Sequence, residues 1–266
     1  MNFLAKYFRN NRRLSVRLAY LLNRVSVVLQ IQSRKIIQLI NHDTSDYGSE
    51  WFVLGRKELQ EKISEILDEQ KKNYEHYSYF YDYPYQGLAT LGIFGERSTE
   101  ERFEIYKLKE YLNKDDNILD LGCNCGFLSI YTAFRTGCRV DGIDINPYAI
   151  KIGTVCSEFL KLNDRVKLQA CRVQDYKLES KYKGIFSFAT HWTDDKNYRV
   201  KLEDHFNFIA DLLDQKGLLF FESHCADVGQ EDFYQCIEKI SDRFEVLYKT
   251  DTDSSSRHYY IFRKIN

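Results

Sequence analysis

The chain has 266 residues, 44% hydrophobic and 29% charged, with a formal net charge of −1 and only 2 prolines. That length suits one large α/β domain with an extension better than two full domains, and the proline count excludes long proline-rich linkers. The charge is unevenly spread. Residues 1–42 carry 8 basic and no acidic side chains, leaving 30 basic against 39 acidic in the remainder. An acidic body argues against broad nucleic-acid binding, whereas a basic arm suits phosphate, anionic lipid or a protein partner.

In residues 1–42, Leu14, Leu18, Leu21, Leu22, Val25, Leu29, Ile36, Leu39 and Ile40 recur at spacings of three and four, which predicts one or two helices. Arg24 and the Arg34–Lys35 pair interrupt the apolar run, so a membrane span is not expected. Two uses fit a basic amphipathic helix. It can pack on the body or on a second copy, the commoner fate of an apolar face, or lie on an anionic membrane. The start of the chain lacks an uninterrupted apolar stretch and a cleavage site. A cytoplasmic protein is therefore expected, with peripheral membrane attachment through the arm as the alternative.

Residues 42–48 read as a polar linker. From Glu58 to Asn73 a charged helix is predicted, burying Leu59, Ile63, Ile66 and Leu67. Residues 74–85 then hold seven Tyr or Phe side chains and one histidine in twelve positions. Packing is the ordinary explanation for such a run. Its many phenol hydroxyls also suit a polar cleft wall or lid, with Tyr81 and Tyr85 as acceptor contacts. Ser98 with Glu101 three residues on forms a capping box, predicting a helix from about Thr99 to Leu112. Arg97, just before that cap, is either a solvated surface residue or a clamp for a carboxylate in the adjacent cleft. The chain thus divides into an arm at 1–45, a helical and Tyr-rich cap at 46–112, and a main domain at 113–266.

From Asn117 the pattern becomes regular. Strand-like runs at 117–121, 139–145, 166–172, 184–190 and 217–223 alternate with helical segments at 127–136, 147–161, 175–179 and 197–214. That alternation predicts βαβ units and a parallel sheet. After a helix near 230–241, the runs Phe244–Lys249 and His258–Lys264 are joined by a polar hairpin loop, so the last strand is expected antiparallel. The seven cysteines, mostly in apolar patterns, are expected to be reduced and buried. Cys123 and Cys125 lack a second Cys or His pair at zinc spacing, and no metal is expected there.

The segment 117–130 organises the rest. Ile118 to Leu121 suits a buried strand, Gly122 and Gly126 bracket a tight turn, and Phe127 opens an apolar helix. A strand, a glycine turn and a helix N-terminus in that order can bring backbone N–H groups to a ligand. A dinucleotide site would want Gly-x-Gly-x-x-Gly, but here Asn124 occupies the middle of the turn. Asp120 ahead of it suits a ligand carrying positive charge. Asp144, at the tip of the second strand before a helix opening at Pro147, can accept both ribose hydroxyls of a nucleoside. Asp175, after the third strand, suits the amine and ring nitrogens of adenine. Each acid alone reads as a cap or turn residue. Three at the ends of three consecutive strands point to a nucleoside site.

In these features residues 95–264 resemble the class I S-adenosylmethionine-dependent methyltransferases. The family's acid-x-Gly-x-Gly-x-Gly turn is matched by Asp120, Gly122, Asn124 and Gly126, its ribose acid by Asp144 and its adenine acid by Asp175. The resemblance implies a Rossmann-like seven-stranded sheet, mostly parallel with an antiparallel last strand, flanked by helices. It also implies S-adenosyl-L-methionine as cofactor, contacted by Asp120, Gly122, Asn124, Gly126, Phe127, Asp144, Ile145, Val173, Gln174 and Asp175, with Arg97 on its carboxylate.

His191, at the end of the fourth strand, is either a structural hydrogen-bonder, the commoner role of a lone histidine, or the general base for a hydroxyl acceptor. Trp192, Glu222 and His224 are candidate acceptor contacts. The Asn/Asp-Pro-Pro-Tyr pattern of base and amide N-methylation is absent there. The expected activity is O-methylation of a small-molecule or glycan-type acceptor. An RNA methyltransferase and a non-catalytic cofactor-binding protein are the alternatives.

Overall fold

The computed structural model describes residues 50–73, 86–93, 95, 97–177, 180–191, 200–252 and 257–265, with side chains from residue 57 onward. The basic arm, the tyrosine run with Tyr81 and Tyr85, and Trp192 lie outside the described residues.

Helix α1 (Glu50–Asn73) buries Leu59, Ile63 and Leu67 and packs against the second crossover helix of the main domain. A short parallel pair follows, β1 (Gln86–Gly87) with β2 (Arg97–Ser98). The Ser98 hydroxyl caps α2 (Thr99–Ile105) by accepting from Glu101 N, as the capping box predicts. The expected helix to Leu112 is broken, however. Lys107 takes φ 54° and a separate turn, α3, covers Leu108–Tyr111. The reason is tertiary. Tyr106 is clamped between Phe188 and Tyr259, with ring centroids at 4.9 and 4.3 Å, and its carbonyl accepts from Tyr259 Oη at 2.9 Å.

The main domain alternates β3 (Asn117–Leu121), α4 (Phe127–Thr136), β4 (Arg139–Asp144), α5 (Pro147–Phe159), β5 (Val166–Ala170), β6 (Tyr182–Phe188), α6 (Leu202–Leu212), β7 (Leu213–Glu222), α7 (Glu231–Lys239), β8 (Phe244–Thr252) and β9 (Arg257–Lys264). The seven-stranded sheet has the order β5-β4-β3-β6-β7-β9-β8. Strands β3 to β7 are parallel, and β9 runs antiparallel to both β7 and β8. This is the parallel sheet with an antiparallel last strand expected from the alternation and the terminal hairpin, and the Rossmann-like architecture that the resemblance implies. Helices cover both faces, which is why β3 and β6 are largely buried. Each leucine or isoleucine buried there stabilises by roughly 1.5–3 kcal/mol. Of the helix expected at 175–179, residues 178 and 179 lie outside the described residues, and the described part holds only the end of a 3-10 turn, Val173–Asp175. β7 begins at Leu213 rather than 217, directly after α6.

Candidate active site

The carboxyl ends of β3, β4, β5, β6 and β7 line one edge of the sheet, and the candidate residues gather along it. Between β3 and α4 the turn takes positive φ at three alternate positions, Gly122 (67°), Asn124 (56°) and Gly126 (64°). Asparagine tolerates this left-handed conformation better than other non-glycine residues. Its side chain also adds a local bond, Asn124 Oδ1 accepting from Cys125 N at 2.7 Å. A Cβ on Gly122 would come within 3.1 Å of Thr190, and one on Gly126 within 2.8 Å of Leu168. The turn is therefore a cradle with little spare room.

The acids fix this cradle from below and beside. Asp144 Oδ2 accepts from Asn124 N at 2.8 Å and Oδ1 from Asn146 N at 2.9 Å, so the tip of β4 is tied to the turn. Ile145 beside it is half-buried. Asp120 is buried and accepts from Ser129 Oγ at 2.5 Å. Burial pushes its carboxyl up to about 7, against the opposing pull of the Ser129 hydrogen bond and the Arg102 charge. A cationic group arriving above the turn would favour its ionised form. Phe127 is wholly buried in the core, so its side chain supports the turn from inside. After β5, Val173 is buried while Gln174 and Asp175 are exposed at the same edge.

On the other side of β3 the chain leaves β6 through Ala189, whose φ of 59° is unusual for a non-glycine residue. That bend lets Thr190 Oγ1 donate to Leu121 O at 2.7 Å and turns His191 under β7. His191 is buried against Phe221 and His205, with ring centroids at 5.4 and 5.7 Å. Its Nε2 lies 2.9 Å from Asp227 Oδ2, and its Nδ1 is buried without a hydrogen-bond partner among the described residues. Asp227 also accepts from His224 N at 2.6 Å. Burial would raise the Asp227 carboxyl, but the His191 and His224 contacts outweigh it and hold it below the usual range. Burial, with the nearby His191, pushes His205 down to about 3, leaving it a neutral partner of Ser187.

Further along the edge is a buried ionic cluster. Glu222, at the end of β7, is 0% exposed. It accepts from Arg97 Nη1 at 3.1 Å and Nη2 at 2.9 Å, from Arg257 Nη1 at 2.7 Å, and from the Tyr106 hydroxyl. Burial alone would raise its carboxyl; the Arg97, Arg102 and Arg257 charges override that and pull it down to about 2. Arg102 Nε donates to Tyr106 Oη at 3.2 Å, with its guanidinium over the Tyr106 and Phe188 rings.

The structure thus brings Asp120, Gly122, Asn124, Gly126 and Asp144 into one unit, with Val173, Gln174 and Asp175 along the same edge. Arg97 and Glu222, read from sequence as serving different ligands, bind each other. His224 is drawn into a local cap, its Nδ1 accepting from Ala226 N at 3.1 Å. Asp227, Tyr106, Arg102 and Arg257 were not singled out from the sequence. For Asp227 a signal existed, because His224 and Asp227 have capping-box spacing. The other three lie in unrelated segments, and only the fold brings them together.

A family model for a methyltransferase domain matches residues 112–264. Among curated relatives, geranyl diphosphate 2-C-methyltransferase of Streptomyces ambofaciens is 27% identical over 50% of this chain and 44% of its own length. Pavine N-methyltransferase of Thalictrum flavum is 33% identical over 52% of this chain and 39% of its own length. The chain therefore spans less than half the length of these relatives. Among solved structures, a candidate class I S-adenosylmethionine-dependent methyltransferase of Listeria monocytogenes superposes with TM-score 0.54 at 14% identity, covering 79% of this chain and 69% of that one. A geranyl diphosphate methyltransferase in complex with S-adenosylmethionine superposes with TM-score 0.50 at 14% identity, covering 63% and 84%. With the domain match extending over most of β3 to β9 and the acid-bearing turn in place, the chain belongs to the class I S-adenosylmethionine-dependent methyltransferase family.

Proposed function

We propose that this chain is an O-methyltransferase that acts on a small-molecule or glycan-type hydroxyl acceptor. The observation that carries the reading is the His191–Asp227 pair. With Nε2–H donated to Asp227, the free lone pair of His191 lies on Nδ1, the atom left without a partner. A hydroxyl is a poor nucleophile until it loses its proton, and Nδ1, buried in this structure, would take it from an acceptor hydroxyl brought against it. The Asp227 carboxylate then stabilises the imidazolium and keeps the ring oriented.

The turn and its acids fit S-adenosylmethionine. Asp120 and Gly122 would meet the methionyl amine, Asp144 and Ile145 the ribose, and Val173, Gln174 and Asp175 the adenine. When bound, S-adenosylmethionine would supply a sulfonium methyl: the acceptor oxygen would form the O–CH3 bond in line as the S–CH3 bonding pair returns to sulfur, leaving the thioether. The chain's main contribution is to position the acceptor, worth on the order of 7–11 kcal/mol for well-aligned reactants. We place Arg97 on the acceptor side, because its guanidinium is laid bidentate on Glu222 at the end of β7.

The test is to incubate the full chain with methyl-labelled cofactor and fractionated cell extract. Label in a methyl ether, lost in His191→Ala with cofactor affinity unchanged, is the expected result. Label on carbon or nitrogen would remove the O-methyl reading, and full activity in His191→Ala would remove the base.

A further inference from the structure

At the far end of this edge lies a cluster of buried guanidiniums. Among the described residues, Arg97, Arg102 and Arg257 share a network around the carboxylate of Glu222. Water screens the cluster poorly, since the Arg97 and Arg257 side chains are only 12% and 14% exposed. Two of its donors, Arg102 Nη1 and Arg257 Nε, are buried with no acceptor among the described residues. Buried charged donors are normally paired, because an unpaired one is strongly unfavourable.

The position of the cluster in the sheet says which ligand it serves. The nucleoside acids end β3 and β4 and follow β5, whereas Glu222 ends β7 and Arg257 opens β9, on the opposite side of β3. Guanidiniums held in a fixed fork suit phosphate or carboxylate oxygens. We infer that the acceptor carries an oxyanion, a phosphate or a carboxylate, which Arg97, Arg102 and Arg257 seat while Glu222 holds the guanidiniums in place. This rests on reading that edge as the acceptor side, and it narrows the acceptor to an anionic hydroxyl compound.

The test is calorimetric titration of the full chain, preloaded with S-adenosylhomocysteine, with inorganic phosphate and separately with acetate, at constant ionic strength. Preloading keeps the methionyl carboxylate's own site filled. Saturable binding of one oxyanion is expected, and the stronger of the two identifies the group. Arg257→Gln should weaken it by at least about tenfold, the effect of losing one charge-assisted partner. Its affinity for S-adenosylhomocysteine should stay unchanged, which confirms that the variant is folded. Glu222→Gln should shift binding the other way, since it frees guanidinium donors, and the oxyanion should raise the melting temperature of this variant more than that of the wild type.

Oxyanion binding to the cofactor-free chain that disappears on preloading would assign the cluster to the methionyl carboxylate and overturn the inference. Equal binding by wild type and Arg257→Gln would also overturn it. The O-methyl reading fails separately. Label on the carbon or nitrogen of an anionic compound removes that reading and leaves the oxyanion seat standing, whereas His191-dependent label on the hydroxyl of an uncharged compound removes the seat alone.

Discussion

Arg97 and Glu222 are 125 residues apart in sequence and form a bidentate ion pair, with Nη1 to Oε1 at 3.1 Å and Nη2 to Oε2 at 2.9 Å. The pair ties the segment before α2 to the end of β7 and locks the cap onto the sheet. Against the desolvation that burial imposes, the three arginines lower the Glu222 carboxyl from an ordinary 4.5 to about 2 in the folded state. A carboxyl with a depressed folded pKa stabilises fully above its unfolded value and loses that contribution as pH falls through the folded one. Glu222 should therefore contribute on the order of 3 kcal/mol above pH 5, lost between about pH 4.5 and 2. Glu222→Gln should lower the melting temperature at neutral pH and flatten its fall in that acid window. Parallel melting curves for the two proteins would refute the assignment.

Asp144→Ala removes the acceptor for two backbone N–H groups, Asn124 and Asn146, as well as the proposed ribose contact. Cofactor affinity measured by calorimetry should fall by about tenfold or more, since hydrogen bonds to a charged group are worth roughly 1.5–3 kcal/mol. Asp144→Asn, which keeps one acceptor oxygen, should lose less. An unchanged dissociation constant for Asp144→Ala would discard the ribose assignment.

Asp120 should behave in the opposite sense to Glu222 in acid–base terms. Its folded carboxyl is raised to about 7, mainly by burial, so it destabilises the fold as pH climbs from about 3.8 to 7. Asp120→Asn should be at least as stable as the wild type at pH 8 while binding cofactor more weakly. A variant that loses stability at pH 8 and keeps its affinity would reverse this reading.

The sheet was legible in the sequence because its signals are local. Buried parallel strands read as short apolar runs, crossover helices repeat every three to four residues, and the hairpin loop sets the last strand's direction. The acid-bearing turn was legible for the same reason, since Asp120 through Gly126 lie within a single turn and Asp144 ends the next strand. The ion cluster around Glu222 was not. Tyr106 breaks a helix that capping and periodicity would continue, because its carbonyl and ring are claimed by Tyr259 on β9. Arg257 and Arg102 carry no motif, and nothing local indicates that both share Glu222's network. Long-range ion pairs leave no periodic signature, so they emerge only once the strand order is known.

Asp227 is hydrogen-bonded to His191, through which it is expected to act as a positioning residue. Asp227→Asn keeps the size of the side chain but allows the amide to donate to Nε2, favouring the tautomer whose proton sits on Nδ1. Turnover should fall by at least about a hundredfold with little change in KM, as wrong-tautomer variants of such pairs do. A purely structural Asp227 would instead lower the melting temperature while the folded variant keeps its turnover.

Asn124 tests why the glycine turn tolerates a side chain at its centre. Its φ of 56° is the left-handed region, and its Oδ1 accepts from Cys125 N at 2.7 Å. Asn124→Gly removes the strain and the local bond together, so stability should change by less than about 1 kcal/mol. Asn124→Ala keeps a Cβ in the left-handed conformation and loses the bond, and should cost about 1–2 kcal/mol. Asn124→Val adds β-branching at positive φ and should be worse than either. The same order, Gly better than Ala better than Val, is expected for cofactor affinity, because the Asn124 N–H must keep pointing at Asp144. If the alanine variant matches the glycine one in both melting temperature and affinity, the turn does not depend on backbone conformation at its centre.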